Sequence, residues 1–229
     1  MSRLAVSAGA GLAVAFLAGC AAPVNLAALD CLRLGVGDTT GTALVLGQIR
    51  APSRSVADGP TTGAPLAETP VAGATIRLTD AHGTALPGLP SATSDAEGRY
   101  RLTGVPGGHT YVVVAAFSLK DGRPATLRTL ARAEAGTVTA NLTLSTTLVS
   151  AGLADVLHGF SANLEAAPYQ GAVDETQTLL ANDRVPDLAD DGDVLAMSST
   201  LLNVSPRLRE RVSALKQALA TSAAPPLVE

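Results

Sequence analysis

Asp187, Asp190, Asp191 and Asp193 gather around Gly192, and in a loop their carboxylates are the best candidates for metal chemistry in the sequence. An EF-hand register opened at Asp187 puts Ala189 third and Ser198 twelfth, where an oxygen ligand and a bidentate Glu belong. A solvated loop that starts a helix explains the same residues, because acids are favoured at the positive end of the macrodipole. Serine, histidine and aspartate all occur, but no Gly-x-Ser-x-Gly elbow holds them together. Neither a P-loop nor a dinucleotide fingerprint is present. No catalytic residue, no metal site and no cofactor is therefore expected, and the chain reads as something other than an enzyme.

The chemistry that the sequence does support is at a thiol. Met1-Ser2-Arg3 supplies one positive charge, residues 4–18 are uncharged and apolar or small, and the run closes in Leu17-Ala18-Gly19-Cys20. This is the layout of a secretory signal, too short for a comfortable permanent span. Its last four residues resemble the lipobox of bacterial lipoproteins, in which cleavage before the cysteine leaves Cys20 as the lipid-bearing N-terminus. The alternative is an ordinary signal peptide cut after Ala22, with Cys20 incidental. The resemblance implies a signal peptide over 1–19, lipidation at Cys20 and a spacer over 20–41. The chain would then be exported and anchored to the cell membrane or outer membrane, facing away from the cytoplasm. Ala21, where an Asp could stand, fits outer-membrane delivery. Cys31 is left without a partner, a thiol to note and no more. Beyond the signal no apolar stretch is long enough to span a bilayer, so the lipid is the expected anchor. A net charge of −4 gives no reason to expect nucleic acid, which calls for a basic stripe.

The folded part centres on Val71–Phe117. Ala74, Ile76 and Leu78 alternate with Thr75, Arg77 and Thr79, which is the period of a half-buried strand. Asp80-Ala81-His82-Gly83 and Ser94-Asp95-Ala96-Glu97-Gly98 are turns, and Gly98 can take positive φ without steric cost. Tyr100 and Leu102 point one way and Arg99, Arg101 and Thr103 the other. Pro106-Gly107-Gly108 then precedes Tyr111–Phe117, an apolar run suited to a strand covered on both faces. Ala43–Ile49 reads as the opening strand, Pro124–Ala133 as a weaker one, and Thr137–Leu144 as the closing one. About six or seven short strands suit an antiparallel sandwich over residues 42–146. Residues 51–70, rich in Pro, Gly, Ser and Thr, read as a disordered loop inside it.

The phrases PVAGATIRLTD, TSDAEGRYRLTGVPGGHTYVVVA and TVTANLTL resemble the carboxypeptidase regulatory-like domain, a transthyretin-like sandwich similar also to the B-type repeats of collagen adhesins. The likeness covers under half of the chain, and Ser94–Tyr111 is its most specific part. There Asp95, Gly98, Tyr100, Leu102, Pro106, Gly108 and Tyr111 match turn and core positions, so the resemblance implies a fold more than an activity. Metallocarboxypeptidases carry a His-x-x-Glu zinc pair, but three residues after His82, His109 and His158 stand Ala85, Val112 and Ser161. An adhesin-type Lys–Asn crosslink has no lysine before Lys120 to use. Related sandwiches bind glycans, and Tyr100 and Tyr111 are the candidate ligand contacts, although both sit where strand packing also wants an aromatic.

From Thr147 the period changes to that of helices. Leu153, Val156, Leu157, Phe160 and Leu164 share a face of an expected helix of about four turns. Further helices are expected around Val173–Ala181, around Val194–Leu202 and over Pro206–Ala220. Ser205 is placed as N-cap of the last one, Pro206 as its first residue, and Leu208, Val212, Leu215 and Leu219 as its apolar stripe. The full expectation is an antiparallel transthyretin-like β-sandwich followed by a small helical domain over 147–221 and a loose tail over 222–229. Its expected role is a scaffold or adhesion module at the cell envelope, with the membrane and an envelope protein or glycan as partners. A carbohydrate-binding module is the alternative.

Overall fold

The computed structural model describes residues 41–56, 67–80, 83–157, 164–181 and 185–222. Nine strands form three sheets among them. β1 (Thr42–Gln48), β6 (Arg99–Pro106) and β9 (Gly136–Thr139) make a sheet ordered β6-β1-β9. A second sheet, ordered β5-β4-β7-β8, holds β4 (Thr75–Thr79), β5 (Ala92–Thr93), β7 (His109–Ser118) and β8 (Pro124–Ala133). β2 (Arg50–Pro52) and β3 (Glu68–Pro70) pair by themselves. Val45 of β1, Tyr100 and Leu102 of β6, Ile76 and Leu78 of β4, Val113 of β7 and Leu127 of β8 are all buried in one apolar core. The alternation in β6 sorts as its residue types demand, with Tyr100 and Leu102 inside and Arg99, Arg101 and Thr103 outside.

One pairing departs from the antiparallel expectation. β9 runs parallel to β1, with Ala43 opposite Gly136 and Leu46 opposite Thr139. Only Glu134 and Ala135 separate β8 from β9, and over that link the chain changes sheets instead of folding back on β8. β9 therefore meets β1 running in the same direction. Gly107 and Gly108 make a similar crossing from β6 to β7, their N–H groups donating to Gly41 and Ala133 carbonyls at 3.0 and 2.7 Å.

The turn before β6 forms as its sequence requires. Asp95 Oδ1 accepts from the backbone of Glu97 and Arg99 at 3.0 and 2.7 Å. Gly98 has φ +71°, and a Cβ there would stand 2.5 Å from the Ile49 carbonyl oxygen. The loop expected to be disordered over 51–70 is ordered at both ends. β2 and β3 pair there, with α1 (Ser53–Val56) directly after β2; Ser53 and Thr69 hydroxyls meet at 2.6 Å and Ala51 is fully buried. A small apolar side chain with a core site and hydroxyls that bond each other suffice to order these ends.

The first long helix, α2 (Leu144–Leu153), starts inside the stretch expected as the closing strand. The helix begins at Leu144 because Thr143 and Thr146 form a reciprocal cap, while pairing with β1 runs on past β9 as Ala140 and Leu142 N–H groups donate to the Leu46 and Gln48 carbonyls at 2.7 and 2.9 Å. Thr143 Oγ1 accepts from Thr146 N at 3.2 Å and Thr146 Oγ1 from Thr143 N at 2.9 Å. α2 also ends at Leu153, where the expected amphipathic helix was to begin in earnest; Leu157 and Leu164 are buried, and 158–163 lie outside the described residues. α3 (Ala166–Leu180) begins earlier than expected. Its Pro168 falls in the first turn, where a missing N–H costs no helical bond. α4 (Asp191–Val204) and α5 (Pro206–Ser222) follow. Ser205 Oγ accepts from Leu208 N at 3.2 Å, and Leu208, Val212, Leu215 and Leu219 are buried. No helix among the described residues is long and apolar enough to cross a membrane.

Candidate functional site

β8 is the last strand of its sheet, so alternate backbone groups along it face away from β7. Exposed, such an edge invites pairing with another chain. Here side chains from two helices take the place of a strand. Thr147 of α2 accepts from Arg128 N at 2.9 Å. Tyr169 of α3 accepts from Leu130 N at 3.2 Å, and the Thr129 and Ser150 hydroxyls lie 3.2 Å from the same phenol oxygen. Tyr169 is buried, and burial raises its pKa. Its ring lies on the helical stripe Tyr169, Val173, Thr176, Leu180, all of them buried.

Beside this contact, β8, β9 and α3 leave a cavity of about 280 Å³. Leu130, Val138, Leu164 and Val173 supply aliphatic wall, while Asn141, Gln170, Gln177 and Thr139 supply hydrogen-bonding groups. Two of these are partly committed. Asn141 Oδ1 accepts from Gln48 N at 3.1 Å, and Gln170 Nε2 donates to Asp174 at 2.8 Å. Asn141 Nδ2 and Gln170 Oε1 are thereby left with capacity for a ligand. Among the described residues Arg132 is the one charged residue lining the cavity, and its Nε lies 3.9 Å from Glu134. Among the described lining residues there is no imidazole or carboxylate to move a proton.

The residues singled out from sequence lie elsewhere. Cys20 and Cys31 are outside the described residues. Tyr100 and Tyr111 are buried in the core, with 5% and 4% of their surface exposed, and neither lines the cavity. Tyr100 Oη donates to the Ala140 carbonyl, and burial raises its pKa. Tyr111 Oη donates to Pro106 O at 3.1 Å, its ring meets His109 edge-on at 6.1 Å, and burial pushes its pKa up to about 12. Neither ring offers a face to a sugar from solvent. Gly47 belongs to the Tyr100 arrangement, since a Cβ there would lie 2.1 Å from Ala140 O and 2.6 Å from Tyr100 Cε1.

The four aspartates are engaged in local structure. Asp190 Oδ1 caps α4 by accepting from Gly192 N at 2.8 Å. Asp187 accepts from Ala189 N at 3.0 Å and pairs with Arg123 at 2.9 Å; the first contact, then the second, holds its pKa below the usual carboxylate range. Asp193 lies 3.4 Å from Asp187 N, and Asp191 lies 3.6 Å from Arg128. Among the described residues no three His, Cys, Asp or Glu are grouped to hold a metal ion.

Sequence reasoning passed over Glu68. Burial pushes its pKa up to about 7, against the opposing pull of Arg50 and of a hydrogen bond from the Leu144 backbone at the start of α2. An acid in a loop of Pro, Gly, Ser and Thr carries no local sign of this. Tyr169 did carry one, as an aromatic in step with Val173 and Leu180, but its partner Leu130 lies 39 residues away. No protein-family model and no curated protein matches this chain.

Proposed function

We propose that this chain is a non-catalytic lipoprotein of the cell envelope, a transthyretin-like β-sandwich of the carboxypeptidase regulatory-like kind with helices fused to its sheet edge. It is exported, held to the membrane by lipid on Cys20, and acts as a scaffold or adhesion module toward envelope components. The tether rests on Leu17-Ala18-Gly19-Cys20 after an uncharged apolar run. The single observation that carries the scaffold reading is the covering of β8 by Thr147 and Tyr169. It joins helices and sheet through one part-buried and one buried hydrogen bond to the β8 edge. The make-up of the cavity, with amides, hydroxyls and aliphatic groups, supports binding over catalysis and favours a ligand-binding module as the second reading.

Intact mass and membrane fractionation of the wild type and of Cys20→Ala test the tether. Acyl mass on a chain beginning at Cys20, lost together with membrane association in the variant, is the expected result. Crosslinking at the envelope then identifies partners. An unacylated wild type in the soluble fraction defeats the lipoprotein reading and leaves a secreted binding protein.

A further inference from the structure

We propose that the outward face of the β6-β1-β9 sheet lies against the anionic phospholipid headgroups of the bilayer that tethers the chain. Strand pairing assembles this face from three distant segments. Arg99 and Arg101 of β6 stand opposite Gln48 and Leu46 of β1, and Leu44 and Leu46 stand opposite Thr137 and Thr139 of β9. Their neighbours Val45, Tyr100 and Leu102 are buried in the core, so these side chains point the other way. Arg99, Arg101, Thr103, Thr137 and Thr139 are exposed. Leu44 and Leu46 are half-buried and are not among the apolar side chains packed on the core. Neither arginine makes a side-chain hydrogen bond or ion pair among the described residues. Asp95 is occupied by the backbone amides of Glu97 and Arg99, and Glu97 pairs with neither arginine.

Two unpaired guanidinium groups thus stand beside a pair of aliphatic side chains. Guanidinium forks match phosphate oxygens, and aliphatic groups gain by leaving water at the headgroup boundary. A second copy bound through the same face brings no acid from that face to meet the arginines. An extended acidic peptide adds at a strand edge, and β1 is the central strand, so Leu44 and Leu46 would stay uncovered. A bilayer surface meets both the charges and the leucines, and the tether puts it within reach. Residues 21–40 lie between Cys20 and Gly41 and span at most roughly 70 Å when extended, and β1 begins directly after Gly41. A contact too weak to recruit a free protein is then enough to orient a tethered one, because the second binding event is intramolecular.

This inference rests on the tether reading, and the test reads the two separately. Intact mass reports acylation of Cys20. The face is read on the same full chain in bicelles of phosphatidylcholine, with and without phosphatidylglycerol, that carry a spin label on the headgroup. Methyl resonances of Leu44 and Leu46 are compared with those of Leu195, an exposed leucine on α4. In the anionic bicelles Leu44 and Leu46 are expected to broaden about fivefold or more beyond Leu195, an excess that shrinks in phosphatidylcholine alone and at high salt. Arg99→Glu with Arg101→Glu should abolish the excess. Arg99→Gln with Arg101→Gln, which removes the charges without adding any, should reduce it at an unchanged melting midpoint. Arg77→Glu, exposed on the other sheet, should leave it in place. Equal broadening at all three leucines overturns the proposal, as does an excess unchanged by salt or in the folded glutamine variant. Absence of broadening at Leu44 and Leu46 overturns it whether or not Cys20 carries acyl groups. Shifts of these resonances by hexaglutamate and not by the anionic bicelles also overturn it, and assign the face to an acidic polypeptide.

Discussion

The phenol oxygen of Tyr169 lies 3.2 Å from the backbone nitrogen of Leu130 and accepts the hydrogen bond that a further strand would take from β8. With Thr147 on the Arg128 amide, it covers the edge of the sheet. Tyr169→Phe keeps the ring and removes this acceptor, leaving a buried N–H unmet. The expected loss is about 1–3 kcal/mol in urea unfolding, with faster hydrogen exchange at the Leu130 amide than at Val113 in the next strand. An unchanged midpoint and an unchanged Leu130 amide would show that water or another group serves the edge equally well.

Glu68 makes stability depend on pH in a direction opposite to that of an ordinary paired acid. Its folded pKa of about 7 exceeds the ordinary value of 4.5, so between these values the native state holds a proton that the unfolded chain has released. Its contribution to stability falls as pH rises from about 4.5 to about 7 and is level above that. Glu68→Gln keeps the hydrogen-bonding shape without the charge. Chemical denaturation at pH 5 and pH 8 should show the variant gaining on the wild type at the higher pH, by on the order of 1–2 kcal/mol after solvent screening. Parallel stability curves for the two proteins would count against it.

Gly47 is needed for space, not for an unusual backbone angle. An alanine methyl there would lie 2.1 Å from the Ala140 carbonyl oxygen, a backbone atom in the link between β9 and α2. Gly47→Ala should lower stability by about 1–3 kcal/mol or more. Adding Tyr100→Phe should fail to restore it, because the worse clash is with backbone. Recovery in the double variant would place the strain on the tyrosine ring instead.

At Asp190 the carboxylate accepts from Gly192 N and caps α4. Asp190→Ala should cost about 1 kcal/mol of stability, and Asp190→Asn or Asp190→Ser should recover most of it. Calcium or a chelator should leave the melting midpoint of the wild type unchanged. A calcium-dependent rise lost in Asp190→Ala would make the loop a metal site.

What the sequence determined by itself were the features whose causes are local. Tyr100 and Leu102 go inward and Arg99 and Arg101 outward because a strand repeats every two residues and apolar surface leaves water. Asp95 and Gly98 make their turn with each other's backbone, and Ser205 caps α5 within three residues. Where two local signals competed, context chose. The alternation up to Leu144 favours a strand, but Thr143 and Thr146 cap each other and begin a helix whose first residue is fully buried. The tertiary structure alone decided the rest. β9 lies parallel to β1 because a two-residue link changes sheets, and nothing within either strand records that. The cavity belongs to the same class: Gln177, Asn141 and Val138 are separate, unremarked positions until α3 lies across β8 and β9. Glu68 acquires its high pKa only when the start of α2 and the β2–β3 pair bury it, since desolvation depends on neighbours distant in the chain.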